Sequence, residues 1–236
     1  MSHRFWAFWG PRQESAEACA RRMACMLEAF VAVHSVLSRW NKMAWTRKAA
    51  DTPFCAMPPR IDELTKIFEK GKYYTDKRPR KPIEDLGFSV SAWNGHDDDC
   101  GVQLTVGAGK YTDSTSEPNS VQMELRRACA GNADFISAPI MKKMTHAVVE
   151  AWQPNWAALK NNDYTGATTD FRGFPLRPWG GWITYLSPPL AQQLAPAADI
   201  ISSPLPMAGS SSSQPRSPPT SPTRRMSPPL IEFKPI

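Results

Sequence analysis

The 236 residues suffice for one domain of ordinary size plus an appendage, and a hydrophobic fraction of 42% with nine Trp and ten Phe provides for an aromatic core. No run of about 18 apolar residues occurs, which excludes a helical membrane span, and the N-terminal aromatic run is too short for a secretory signal. The formal charge of +6 is thinly spread, with 24 Lys/Arg against 20 Asp/Glu before Pro188, which disfavours nucleic acid as a partner; five scattered cysteines without a CxxC pair fit a reduced, cytoplasmic protein.

In chain order, Phe5-Trp6-Ala7-Phe8-Trp9 has no internal Gly or Pro and predicts a buried strand, stopped by Gly10-Pro11. Glu14 and Glu17 suit a helix N-terminus. Ala16, Ala20, Met23, Leu27, Phe30, Val31, His34 and Leu37 then recur at spacings of three and four, predicting one helix of about six turns. Trp40 to Trp45 reads as a second strand or an extended return. Arg60 to Lys70 is a helix with Ile61, Leu64, Ile67 and Phe68 on one face and Gly71 as its C-cap. The basic run Lys77-Arg78-Pro79-Arg80-Lys81-Pro82 is broken by proline and reads as a solvated connector rather than a phosphate groove.

Strict alternation predicts three antiparallel strands, Phe88 to Trp93, Gly101 to Val106 and Ser120 to Leu125, joined by polar, turn-rich connections. Ala138 to Trp152 is a third helix with Pro139 in its first turn and Ile140, Met141, Met144, Val148 and Trp152 on its apolar face. Trp156 to Leu159 and Gly181 to Leu186 are further strands, the second entered through Pro178-Trp179-Gly180. Sequential strands with intervening helices predict an α+β fold: two layers, a mainly antiparallel sheet and helices packed on one face.

This domain is expected to occupy residues 1–206. Residues 207–236 form a Ser/Pro-rich tail with almost nothing to bury. Either the tail is disordered or it is an out-of-frame translation, since TCN serine codons read one base back encode Phe, Leu, Ile or Val. Ser210 to Ser213 would then become an apolar strand.

No motif of covalent or metal chemistry is present: no G-x-S-x-G, HExxH, Walker loop or glycine fingerprint. The histidines at 3, 34, 96 and 146 stand in unrelated contexts, and His34 reads as a packed side chain rather than a base. No catalytic residue, metal or cofactor is therefore expected. In His96-Asp97-Asp98-Asp99-Cys100 the consecutive carboxylates diverge and do not match an alternating calcium loop; the run is a solvated turn or an acidic contact loop. Trp93, Trp152, Trp156, Trp179 and Trp182 exceed what one two-layer core commonly uses, so one or two should anchor a partner.

The strand closing in Trp9-Gly10, the helix opening Glu14 to Arg22, and the strand Gly181-Trp182-Ile183-Thr184-Tyr185-Leu186-Ser187 resemble the immunity protein 52 family of bacterial polymorphic-toxin systems. The resemblance spans roughly residues 4 to 187. It implies an α+β protein encoded beside a toxin, often a nuclease of the restriction-endonuclease fold delivered by contact-dependent or type VI secretion, and it implies protection by binding that toxin. It assigns Trp9, Gly10, Gly181, Trp182 and Tyr185 structural roles. Members of the family continue with a Gly-Gly turn, an apolar strand and a final helix, which the frame reading would restore here. Such an inhibitor fills a basic nuclease cleft with carboxylates and aromatics. The expected contacts are Asp97, Asp98 and Asp99 with Trp93, then Glu84 and Asp85, and Trp179. The alternatives are a basic nucleic-acid-binding module and a small hydrolase.

Overall fold

Strand β1 (His3–Trp9) is buried along its last five residues on both faces, which is why it reads as a continuous aromatic run instead of an alternation. Phe5, Ala7 and Trp9 point into the main core, whereas Trp6 and Phe8 point the other way. The computed structural model describes residues 2–43, 52–96, 101–112, 118–126, 134–161, 178, 180–193, 201–204 and 229–232. β1 lies mid-sheet, antiparallel to both β5 (Asn119–Leu125) and β6 (Trp156–Asn161). With β2 (Asn41–Lys42), β3 (Phe88–Trp93), β4 (Val102–Ala108), β7 (Ile183–Leu186), β8 (Ile201–Pro204) and β9 (Pro229–Glu232) the sheet has the order β2-β3-β4-β5-β1-β6-β7-β9-β8. Each pairing is antiparallel.

Three longer helices, α1 (Ala16–Val33), α2 (Ile61–Lys70) and α3 (Ala138–Trp152), supply one continuous core with the inward residues of β1 and β3 to β7. α1 packs against both of the others. A short α4 (Pro188–Gln193) sets Leu190 and Ala191 against the second cluster, Trp6, Phe8, Trp156, Ala158 and Leu186, on the opposite face. The fold is thus α+β on an antiparallel sheet, as the strand alternation implies.

α1 begins where Ser15 Oγ accepts from Ala18 N at 3.1 Å, with Glu17 in the first turn. It ends at Val33, a turn short of the expected stripe. His34 is extended (φ −164°), and its Nδ1 accepts from Val36 N at 3.2 Å, opening a 3₁₀ turn over Ser35–Leu37. A side chain that bonds the backbone two residues on competes with helix continuation. Leu37 is buried from that turn, and Val31, placed on the stripe by spacing alone, is 47% exposed. Of the second strand or extended return expected over Trp40 to Trp45, Asn41–Lys42 pair as a strand. Trp40 is core, donating Nε1 to Leu37 O at 3.0 Å, and residues 44–45 lie outside the described residues. Within the expected tail, residues 229–232 pair with β7 and β8; the remainder of 207–236 lies outside the described residues.

Candidate partner-binding surface

The β3–β4 hairpin carries the acidic run. Asp97, Asp98 and Asp99 lie outside the described residues, but the mouth that holds them is defined. Asn94 is fully buried: its Oδ1 accepts from Val102 N at 2.9 Å, and its Nδ2 donates to Val36 O at 3.2 Å. The Asn94 amide also donates to Val102 O at 3.0 Å, and Gly101 O accepts from Arg126 N at 3.1 Å. Gly95 adopts φ +78°, and a Cβ there would stand 2.6 Å from Asn41 Nδ2. The loop therefore springs from a fixed stem, the arrangement by which rigid scaffolds present binding loops.

Trp93 ends β3 on the face away from the three longer helices, since Phe88, Val90 and Ala92 take the core side. On its own side Ser91 and Thr105 exchange a hydroxyl hydrogen bond at 3.1 Å. The strand registers align Trp93 with Gln103, Gln103 with Glu124, and Glu124 with Arg4, a polar row on which Gln103 and Arg4 are exposed. This half of the sheet is open and polar, in contrast to the apolar half under α4. The other tryptophans separate cleanly. Trp152 is fully buried, stacks on Trp9 at 5.4 Å and donates Nε1 to Met26 Sδ at 3.3 Å. Trp156 belongs to the second cluster, half-buried Trp182 lies 6.1 Å from the His3 ring, and Trp179 lies outside the described residues.

Glu84 and Asp85 sit in a 3₁₀ turn, Glu84–Leu86, at the opposite end of β3. Six strand residues, roughly 17–20 Å, separate them from the Trp93 end, so the structure does not bring the two acidic candidates together. Exposed Glu84 rims a cleft of about 240 Å³ that is also lined by Glu14, Glu69, Lys72, Phe88 and Tyr111. Asp85 acts through its backbone: its carbonyl accepts from Tyr111 N at 3.0 Å and Thr112 N at 3.2 Å. Glu69 pairs with Lys72, and Glu14 is held by Arg12 and Arg22. Glu14 reads in sequence as a helix-end acid and Glu69 falls inside the expected Arg60 to Lys70 helix; only the packing of α1 against α2 reveals them as neighbours of Glu84. No local signal encodes that proximity.

The five signature residues occupy these places in the fold. Trp9 is buried beneath Trp152, with the Arg12 guanidinium 5.1 Å from its ring centroid. Gly10 O accepts from Asn119 Nδ2 at 2.8 Å. A Cβ on Gly181 would meet Leu159 O at 2.4 Å, and Trp182 N donates to that same carbonyl at 2.8 Å, so the entry to β7 runs too close to β6 for a side chain. Tyr185 is core, and burial pushes its phenol up.

Burial also pushes the thiols of Cys19 and Cys55 up to about 12, which keeps them protonated and poor nucleophiles at neutral pH. Among the described residues, no group of three or more His, Cys, Asp or Glu is placed to hold a metal ion, and no helix is long and apolar enough to cross a membrane. Comparison with protein families matches residues 4–199 to one described as Immunity protein 52. Comparison with curated proteins finds no match.

Proposed function

The chain belongs to the immunity protein 52 family, and from this we propose that it binds and neutralises a cognate secreted bacterial toxin inside the producing cell. The family match over residues 4–199 is the observation that carries the reading. The toxin is a nuclease of the restriction-endonuclease fold from a polymorphic-toxin system using contact-dependent or type VI delivery. The inhibitor works by occlusion in the cytoplasm, without catalysis or cofactor.

Two features support the placement of the contact at the β3–β4 hairpin. Trp93 offers a large amphipathic anchor on an open, polar stretch of sheet, and Asp97 to Asp99 follow it on a stem fixed by Asn94. Carboxylates presented to a basic nuclease cleft raise the association rate and select the partner. Glu84, at the far end of β3, provides a second acidic contact, with Asp85 beside it, and Trp179 a further aromatic one. Because the whole chain is net positive, complementarity to a basic cleft must be local to these groups.

Co-expression with the adjacent toxin gene tests the reading. Growth should be restored, and the two proteins should copurify. A toxin that stays lethal and forms no complex refutes it.

A further inference from the structure

The basic run expected as a plain connector is an ordered finger. Residues 73–83 fold into an irregular hairpin before β3: Ile83 N donates to Tyr73 O at 2.9 Å, Thr75 N to Lys81 O at 2.9 Å, and Lys81 N to Thr75 Oγ1 at 3.0 Å, with a bridge between Tyr74 and Pro82. Its tip presents Lys77, Arg78, Arg80 and Lys81, all exposed and in no ion pair among the described residues, and Asp76 is its one acid. Tyr74, on the stem, is 46% exposed. Four like charges held within five residues repel one another in the free protein, and a partner's carboxylates would relieve that repulsion.

We infer that this finger is a second toxin contact, received by an acidic patch on the toxin protein. The inference rests on the toxin-binding function proposed above and adds a surface of opposite sign to the acidic ones. A protein fits this surface better than nucleic acid does. The base of the finger, Pro82 and Ile83, continues into the cleft rimmed by Glu84 and Glu69. A phosphate backbone that followed the finger from its tip to its base would meet those carboxylates, and Tyr74 is the one exposed aromatic in the finger for bases to stack on. A folded protein can instead set an acidic patch on the tip and a basic side chain in the cleft. Such mixed charge fixes orientation as well as rate.

The test compares the wild-type chain with the variant K77E/R78E/R80E/K81E. The binding partner is the adjacent-gene toxin carrying an inactivated active site, measured by surface plasmon resonance at low (about 0.05 M) and high (about 0.3 M) salt. The four side chains take no part in the stem's hydrogen bonds, so the circular-dichroism melt should be retained; the fourfold alanine variant gives the same reading if charge reversal impairs folding. The inference expects Kd to rise at least about tenfold at low salt, mainly through the association rate, with a flatter salt dependence than wild type. An unchanged Kd and rate overturn the finger's role while leaving toxin binding intact. Failure of the wild type itself to bind removes the parent function and this inference with it. Fluorescence anisotropy with DNA and RNA oligonucleotides covers the competing partner: salt-sensitive wild-type binding that the variant loses would overturn the protein assignment.

Discussion

Arg22 Nε donates to one carboxylate oxygen of Glu14 at 2.6 Å, while Arg12 Nε takes the other oxygen at 3.0 Å. Both guanidiniums then reach the carboxyl end of α3, Arg12 Nη2 to Trp152 O at 2.9 Å and Arg22 Nη1 to Ala151 O at 2.8 Å. Cations at a helix C-terminus satisfy its orphan carbonyls and complement its dipole. One carboxylate thus ties the turn after β1 to α1 and, through the two arginines, to α3.

Replacing that carboxylate should cost far more than breaking a surface pair. Glu14→Gln leaves two partly buried guanidiniums facing each other without a counter-charge, for an expected loss of about 2–3 kcal/mol in urea unfolding. Arg21→Ala breaks only the exposed 2.6 Å pair with Glu17 and should cost under about 0.5 kcal/mol. Equal losses in the two variants would show that the Glu14 network is no more than surface decoration.

Tryptophan positions should divide stability from binding. Trp152 is fully buried, so Trp152→Ala should destabilise by about 3–5 kcal/mol. Trp93→Ala, half-buried on the polar face, should cost clearly less than that yet weaken toxin binding by about tenfold or more, as expected for an aromatic anchor. Calorimetric titration against the inactivated toxin, beside thermal melts, reads both quantities. Unchanged affinity in Trp93→Ala removes it from the interface.

Much of this architecture was legible in sequence because it is local. The 15 residues of α3 were bounded by Pro139 and by an apolar stripe ending at Trp152, and the period-two alternation of Phe88 to Trp93 gave both the strand and its inward face. The end of α1 was not legible, because spacing alone cannot say that His34 will bond Val36 N in place of continuing the helix. Position 31 shows the same weakness: periodicity assigns a face, but exposure depends on what packs there. For the candidate site, sequence reading named Trp93 and Glu84 as expected toxin contacts. It had no means of placing them at opposite ends of one strand, or of bringing Glu14 and Glu69 beside Glu84. The finger over residues 73–83 was hidden for a related reason: its order comes from hydrogen bonds that a proline-rich basic run does not announce.

Two buried asparagines should give contrasting phenotypes. Asn119 accepts from Lys110 N at 2.9 Å and donates to Gly10 O at 2.8 Å and Lys110 O at 2.9 Å, closing the sheet end that carries Trp9. Asn94 does the corresponding work at the mouth of the acidic hairpin. Each alanine variant leaves buried backbone groups unsatisfied and should lose about 2–3 kcal/mol. Only Asn94→Ala should also accelerate amide exchange at Val102 and reduce toxin affinity. Reduced affinity in Asn119→Ala alone would move the interface to the other end of the sheet.

Alkaline pH should expose the buried thiols. Burial, reinforced by the charge of Glu14, pushes Cys19 up from 9.0 to about 12, and burial with Glu63 does the same for Cys55. The folded state therefore holds these protons more tightly than the unfolded chain. Their contribution is complete below pH 9 and is lost as pH rises from 9 towards 12, by an amount on the order of 4 kcal/mol for each thiol. Tyr185 acts in the same direction above its ordinary 10.0. Lys160 opposes them: burial holds its ammonium below 10.5, so its contribution grows as pH climbs towards that value. The raw profile is thus a sum of opposing slopes, and the decisive comparison is with Cys19→Ala/Cys55→Ala. That variant should be less stable at neutral pH, because small cavities replace the two sulfurs, yet its stability should decline less steeply from about pH 9 to 11 in urea unfolding. Parallel wild-type and variant slopes across that window would mean that the thiols do not govern the alkaline limit.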